Sequence, residues 1–250
     1  MRAAVRHTDF EDRRKVEHEN LSLSLSANAQ ISPAWSVGLT VPVQRLQSFE
    51  DPPAIDTDES GIGDLSLSVT FRPWDPDGAG AISERRLSFI AGLKLPTGNP
   101  DLDRFAGSTA EIVPLGSGTT DLHMGLGYAL PLIADVRAFD TLFFSIPLNE
   151  NDDEPPAGAF LGQKSALTIL NRFGAAWSAA EWIEPFVAFD FQWKDRASGS
   201  AVSRDDGGTF MWLTPGVTLR PGGAAEVDLS FQIPIDGGHP SVTLGIARRF

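Results

Sequence analysis

The histidines, at positions 7, 18, 123 and 239, are the chain's only imidazoles for acid–base work or metal ligation, and no cysteine accompanies them. The missing thiols exclude disulfides, cysteine-ligated zinc, iron–sulfur clusters and cysteine nucleophiles. A hydrolytic serine would need a histidine base and an orienting group close together. Only His123 sits firmly in a segment of regular periodicity, and it falls on the polar face of that segment. No partner is evidently placed to serve it, so it reads as a hydrogen-bonded interior residue before a catalytic base. Carboxylates cluster at Glu50, Asp51, Asp56, Asp58 and Glu59, at Glu150, Asp152, Asp153 and Glu154, and at Asp195, Asp205 and Asp206. None has calcium-loop spacing, so they read as solvated acidic loops, and no metal or cofactor is expected. A formal net charge of −13, with no basic, aromatic-interleaved patch to offset it, argues against nucleic acid as a partner.

The elements that must position these groups are legible as strands. From Asp64 to Arg72 every odd position is apolar (Leu65, Leu67, Val69, Phe71) and every even one polar. Helical spacing does not produce such a pattern, whereas a strand with two unlike faces does. It returns where Leu21, Leu23, Leu25 and Ala27 alternate with Asn20, Ser22, Ser24, Ser26 and Asn28, and where Val227, Leu229, Phe231, Ile233 and Ile235 alternate with Glu226, Asp228, Ser230, Gln232 and Pro234. Weaker copies lie at 35–45, 86–95, 121–130, 140–148, 183–194, 211–220 and 242–250, with less clean ones at 2–12 and 164–177. The total is about twelve strands of roughly 9–13 residues, near the length a tilted strand needs to cross a bilayer. No run approaches the ~18 apolar residues of a transmembrane helix. The expectation is one all-β domain over residues 1–250.

Alternation alone fits a soluble antiparallel sandwich as well as a membrane barrel. The connections favour the barrel. Short ones near 29–34, 131–137, 178–182 and 221–225 alternate with longer ones at 48–62, 97–116, 149–163 and 195–208. Transmembrane barrels segregate short periplasmic turns and long external loops in this way. Trp35, Trp74, Trp177 and Trp182 fall near predicted periplasmic turns, and Trp193 and Trp212 at the opposite strand ends. That placement predicts aromatic girdles at the two interfaces. The last strand ends on Phe250 and looks like an outer-membrane assembly signal, which makes the barrel assembly machinery an expected partner. Outer-membrane lipid and lipopolysaccharide are the others, with divalent ions able to bridge the acidic loops to the latter. Met1-Arg-Ala-Ala leads straight into polar sequence without an export leader, so a bacterial outer-membrane location expects a mature form.

If the apolar positions face lipid, the alternate positions line a lumen. That lining would hold Asp64, Arg72, Arg86, Lys94, Asp121, His123, Glu184, Asp190, Gln192, Lys194, Arg220, Glu226, Asp228 and Gln232. Both signs are present, so these groups could pair across the interior or set selectivity. Twelve strands lie between a barrel filled by side chains and one that leaves an open channel.

Three segments carry a family resemblance: Gly61-Ile62-Gly63-Asp64 opening a strand, Leu93-Lys94-Leu95-Pro96-Thr97-Gly98 closing the next, and Gly116-Ser117-Gly118-Thr119-Thr120-Asp121 opening the one after. Physically, Gly61 and Gly63 allow a tight entry into the strand, and Pro96 ends ladder pairing. The glycine run at 116–118 lacks the helix and lysine of a phosphate loop. Together the segments resemble the outer-membrane family named for the meta-pathway of phenol degradation, in motif over roughly residues 20–130 and in architecture over the whole chain. The resemblance implies an up-and-down barrel that passes small hydrophobic, often aromatic, molecules through or along its lumen. It carries over no catalytic residue. A plugged scaffold that houses a partner, and an outer-membrane hydrolase, remain the alternatives.

Overall fold

The computed structural model describes residues 1–11, 17–50, 55–73, 86–98, 116, 119–133, 135–149, 167–195, 208–221, 225–236 and 240–248. The strands are β1 (Arg2–Glu11), β2 (Glu17–Gln30), β3 (Trp35–Glu50), β4 (Ile55–Ile62), β5 (Leu65–Phe71), β6 (Arg86–Leu95), β7 (Asp121–Ile133), β8 (Val136–Pro147), β9 (Thr168–Trp177), β10 (Ile183–Lys194), β11 (Gly208–Leu219), β12 (Ala225–Asp236) and β13 (Ser241–Arg248). All belong to one antiparallel sheet, and each neighbouring pair in it except β5–β3 follows directly in sequence or joins the two chain ends. β1 pairs with β13 from Arg2↔Ala247 to Thr8↔Ser241, which closes the sheet on itself.

The thirteen segments fill twelve positions in the wall. β3 is long enough to pair β5 along Trp35–Thr40 and β4 along Val43–Glu50, so β4 and β5 are two pieces of one strand position. The break falls at Gly63-Asp64, where the Gly63 amide still reaches the Pro42 carbonyl at 2.8 Å. The expected long connection at 48–62 is corrected here: β3 continues to Glu50 and Ile55–Ile62 is strand. The acidic, polar sequence of that stretch hid the pairing, because it lacks one apolar face. Residues 51–54, and the other long connections for the most part, lie outside the described residues.

Which face is inside follows from burial. Among the described residues the only buried apolar side chains are Ala176 and Ala188, whereas Leu67, Val69, Phe89, Leu93, Met124, Leu126, Phe173, Val187, Phe231, Val242 and Leu244 are exposed. A sandwich would hide its large apolar groups between two sheets. This protein wears them outside and buries Glu184, Asp121 and Thr214 instead. The fold is therefore a closed twelve-stranded antiparallel barrel with an apolar outer belt and a polar inner face, as transmembrane barrels have. A polar pair lies within the belt: the Asn171 side-chain amide donates to Asp140 Oδ1 at 2.7 Å, so that carboxylate is not left unpaired.

Leu23 and Ser24 test this inside-out arrangement at one depth. Leu23 lies opposite Val5 and Val43 on the outer face, and Ser24 opposite Ala4 and Pro42 on the inner one. Leu23→Lys should cost about 2–4 kcal/mol of stability in lipid vesicles, and Ser24→Lys less than about 1 kcal/mol. Urea unfolding followed by tryptophan fluorescence reads both.

Candidate functional site

The three glycine-rich segments that stood apart in sequence meet at one place, the rim away from the chain ends. Lys94, next to the end of β6, reaches Asp121 Oδ2 at 2.6 Å and Asp64 Oδ2 at 3.7 Å. The other oxygen of Asp121 accepts from the Thr119 hydroxyl at 2.8 Å, and Ser145 donates to Oδ2 at 3.1 Å. Asp64 Oδ1 accepts from the Gly98 amide at 3.1 Å. The Thr97 hydroxyl accepts from the Leu65 amide and donates to the Gly63 carbonyl, bridging β6 to the break between β4 and β5. Gly116 lies over this knot, and a Cβ there would meet Asp64 Oδ1 and the Gly98 backbone at 2.7 Å. Only glycine permits that approach. Gly61 lies opposite Gln44 one residue before the end of β4, Pro96 follows the last β6 pair, and Gly118 lies outside the described residues. These motifs brace one rim of the barrel.

A second network braces the rim beside the termini. Glu184 is 2% exposed, and its Oε1 accepts from Arg137 at 2.6 Å and Arg220 at 3.2 Å. Arg220 also reaches Glu226 at 3.3 Å. Midway along the wall, Asp190 takes the Thr214 hydroxyl and the Arg172 guanidinium, the latter at 3.6 Å. Asp228 is held by Arg2 and Thr218. Arg6 differs in that it donates to a neutral acceptor, Gln232 Oε1, at 2.8 Å, and Ser241 donates to the same oxygen at 2.7 Å.

Of the residues expected to line the lumen, Asp64, Lys94 and Asp121 thus form one cluster, and Glu184, Arg220 and Glu226 another, with Asp190 and Asp228 in separate pairs. Gln192 and Lys194 share the face of Asp190 by alternation along β10. Arg72 lines a recess of about 190 Å³ together with Ser88, Phe139 and Thr141. Arg86 lies opposite Ala129 at the start of β6. His123 lies opposite Ser145, yet that hydroxyl donates to Asp121, and the imidazole packs against Phe143 at 5.1 Å between ring centres. The pair is not joined as nucleophile and base.

The inner face also holds large apolar groups that sequence patterning did not assign to it. Phe143 lies opposite Leu170, Leu170 opposite Gln192, and Gln192 opposite Phe210, so Phe143, Leu170 and Phe210, with Trp212 stacked on Phe210, form a band across β8–β11 that Gln192 interrupts. Leu170 is 38% exposed although it faces inward. Trp212 lies opposite Asp190, on the same face, and stacks on Phe210 with ring centres 6.1 Å apart and planes at 19°. This corrects the expectation that Trp212 belongs to an interfacial girdle. Trp35, Trp177 and Trp182 are exposed at the rim beside the termini, Trp193 pairs on the outer face with Ile169 and Thr209, and Trp74 lies outside the described residues.

Other inward phenylalanines have a wall-filling task. Phe139, Phe143 and Phe186 lie directly opposite Gly174, Gly125 and Gly216. In each case a Cβ on the glycine would run into the ring, so the ring covers the space the glycine leaves. Phe210 and Trp212 have Gln192 and Asp190 opposite them instead.

No protein-family model and no curated protein matches the sequence. Solved structures do. A crystal structure of an outer-membrane channel from Pseudomonas putida F1 superposes with a TM-score of 0.75 at 15% identity, covering 100% of this chain and 94% of that one. The transport unit of the autotransporter AIDA-I from Escherichia coli gives 0.57 at 11% identity, covering 100% and 89%. The NanC porin gives 0.53 at 6% identity, covering 99% and 100%. At such identities the likeness is one of fold, and the fold is that of outer-membrane barrels.

The rim knot predicts a non-additive mutant series. Lys94→Met leaves Asp64 and Asp121 facing each other without their cation, and should cost roughly 3 kcal/mol. Adding Asp64→Asn and Asp121→Asn should restore part of that loss, read as the urea midpoint of the three variants in vesicles.

Proposed function

We propose that the protein is an outer-membrane channel that passes small, largely apolar molecules through its lumen. The observation that carries this reading is the band of Phe143, Leu170, Phe210 and Trp212 on the inner face of a closed barrel. Large apolar groups left even partly exposed inside a polar lumen, as Leu170 is at 38%, are costly unless something apolar uses them. The wall-filling role of Phe143 accounts for one of them, but not for Leu170 or the Phe210–Trp212 stack. The resemblance of the glycine-rich segments to the phenol-degradation family points the same way, toward hydrophobic and aromatic solutes.

In this reading the protein is a conduit, not an enzyme. The polar networks stiffen the wall and leave a passage of fixed shape, and the outer belt faces lipid and, at the outer rim, lipopolysaccharide. The C-terminal strand, which closes the barrel against β1, would engage the assembly machinery; Phe250 itself lies outside the described residues. A scaffold with a plugged lumen would share the fold but would not conduct.

Single-channel recording of the refolded protein in a planar bilayer tests the proposal, with benzyl alcohol as the probe. Discrete conductance steps that the probe blocks are the expected result. Trp212→Ala should raise the blocking concentration roughly tenfold, since an aromatic contact contributes about 0.5–1.5 kcal/mol beyond its area. Insertion without conductance would sink the channel reading and leave the scaffold.

A further inference from the structure

The apolar band does not stand alone on its wall, and its neighbourhood narrows the class of solute. Trp212 has Asp190 opposite it on β10 and Pro234 opposite it on β12. Two positions before Pro234, on the same face, is Gln232, which holds the guanidinium of Arg6. The aromatic stack and this arginine are therefore next to each other around the lumen.

The arginines of this wall differ in how they are neutralised. Arg2, Arg137, Arg172 and Arg220 are each within ion-pair distance of a carboxylate. Arg6 donates to the uncharged amide oxygen of Gln232 and is exposed to the hollow interior. Asp190 is the acid whose field reaches it, and that carboxylate is already shared by Arg172 and Thr214. Arg172 is the guanidinium within ion-pair distance of that carboxylate, and the Arg6 fork has further N–H donors beyond the one Gln232 takes. Such a fork matches a carboxylate better than any neutral group.

We propose that the Phe210–Trp212 stack and Arg6 form one binding site in the lumen, and that its ligand is a small aromatic carboxylate. The ring lies against the stack and the carboxylate meets the free donors of Arg6. This rests on the channel reading above and deepens it, from apolar molecules in general to planar aromatic anions. It also gives Gln232 a role: held from the other side by Ser241, it fixes the guanidinium without neutralising it. Arg6, held by a neutral amide, adds a positive charge to this wall within a chain of formal net charge −13, so the site would attract an anion that the chain as a whole repels.

Planar-bilayer recordings with three probes separate the contributions: benzoate, its neutral counterpart benzyl alcohol, and acetate, which has the charge without the ring. Benzoate should block at a concentration about tenfold below benzyl alcohol, the worth of one charge-assisted hydrogen bond, and acetate should not block in that range. Arg6→Gln should bring benzoate to the level of benzyl alcohol, and Arg6→Lys should retain part of the preference. Heat-modifiable gel migration confirms that each variant is folded. Equal block by benzoate and benzyl alcohol in the unaltered protein, equal block by acetate and benzoate, or a benzoate preference that survives Arg6→Gln would overturn the proposal and leave the channel reading intact. Absence of conductance, or of block by either aromatic probe, would overturn both.

Discussion

Everything in this fold depends on the hydrogen-bond ladder having no end. Inside a bilayer an unpaired backbone N–H or C=O costs several kcal/mol, because no water is there to replace the missing partner. A sheet meets that requirement only by closing, and here the closure is the β1–β13 pairing, with the Met1 amine and the Arg248 amide extending it by contacts of 3.0 and 2.8 Å. Closure then dictates the faces. Each strand has one row of side chains toward lipid and one toward the lumen, and the period-2 pattern of the sequence is the imprint of that division. It also explains the break at Gly63-Asp64. β3 runs on past the end of β6, so its pairing partner must leave β6 and continue as β4.

The fold was largely legible in the sequence, and the reasons are specific. Leu65–Phe71 and Val227–Ile235 alternate so strictly that only a two-faced strand fits, and the Ser and Asn of residues 20–28 mark the lumen side as plainly as its leucines mark the lipid side. β4 was not legible, because Asp56, Asp58 and Glu59 gave it no apolar face; it pairs beside the taller part of β3, where its partner on the other flank has ended. Less clean strands hid functional groups too. Arg2 and Arg6 sit in a segment whose alternation is weak, Arg172 follows the outward Asn171, and Arg137 falls within a stretch that reads as a turn.

The aromatic stack shows where residue type misleads and register does not. Trp212 and Arg220 are eight positions apart, with Arg220 directly following β11, and so share a face; placing Arg220 in the lumen already places Trp212 there. Tryptophan's preference for interfaces is a tendency of composition, whereas parity is a geometric constraint, and the constraint wins. The same counting puts Phe139, Phe143 and Phe186 inside, each opposite a glycine. Those glycines are legible as strand-weakening residues, but that a ring from the next strand covers each one depends on a pairing register that no single strand encodes.

The two halves of the inner wall are unlike, and that asymmetry bears on how a solute would travel. Along much of β2, β3 and β5 the inward positions are small and uncharged, as in Ser22, Ser24, Ser26 and Asn28, then Ser36, Gly38 and Thr40, then Ser66, Ser68 and Thr70. The hydroxyls of Ser26 and Thr40 lie 3.0 Å apart, and a Cβ on Gly38 would strike Asn28 and Ser68, so this wall is thin and closely knit. The long inward side chains (arginines, acids, phenylalanines and Trp212) are concentrated between β8 and β12 and on β1. Side chains of that length fill space from one side only, so in the proposed channel they would displace the path toward the serine-rich wall. A solute in the proposed channel would therefore pass with one face against small hydroxyls that hold it weakly and the other against the groups that discriminate. Recognition on one flank is compatible with transit, because a site that enclosed the solute from all sides would bind it more tightly than it could release it.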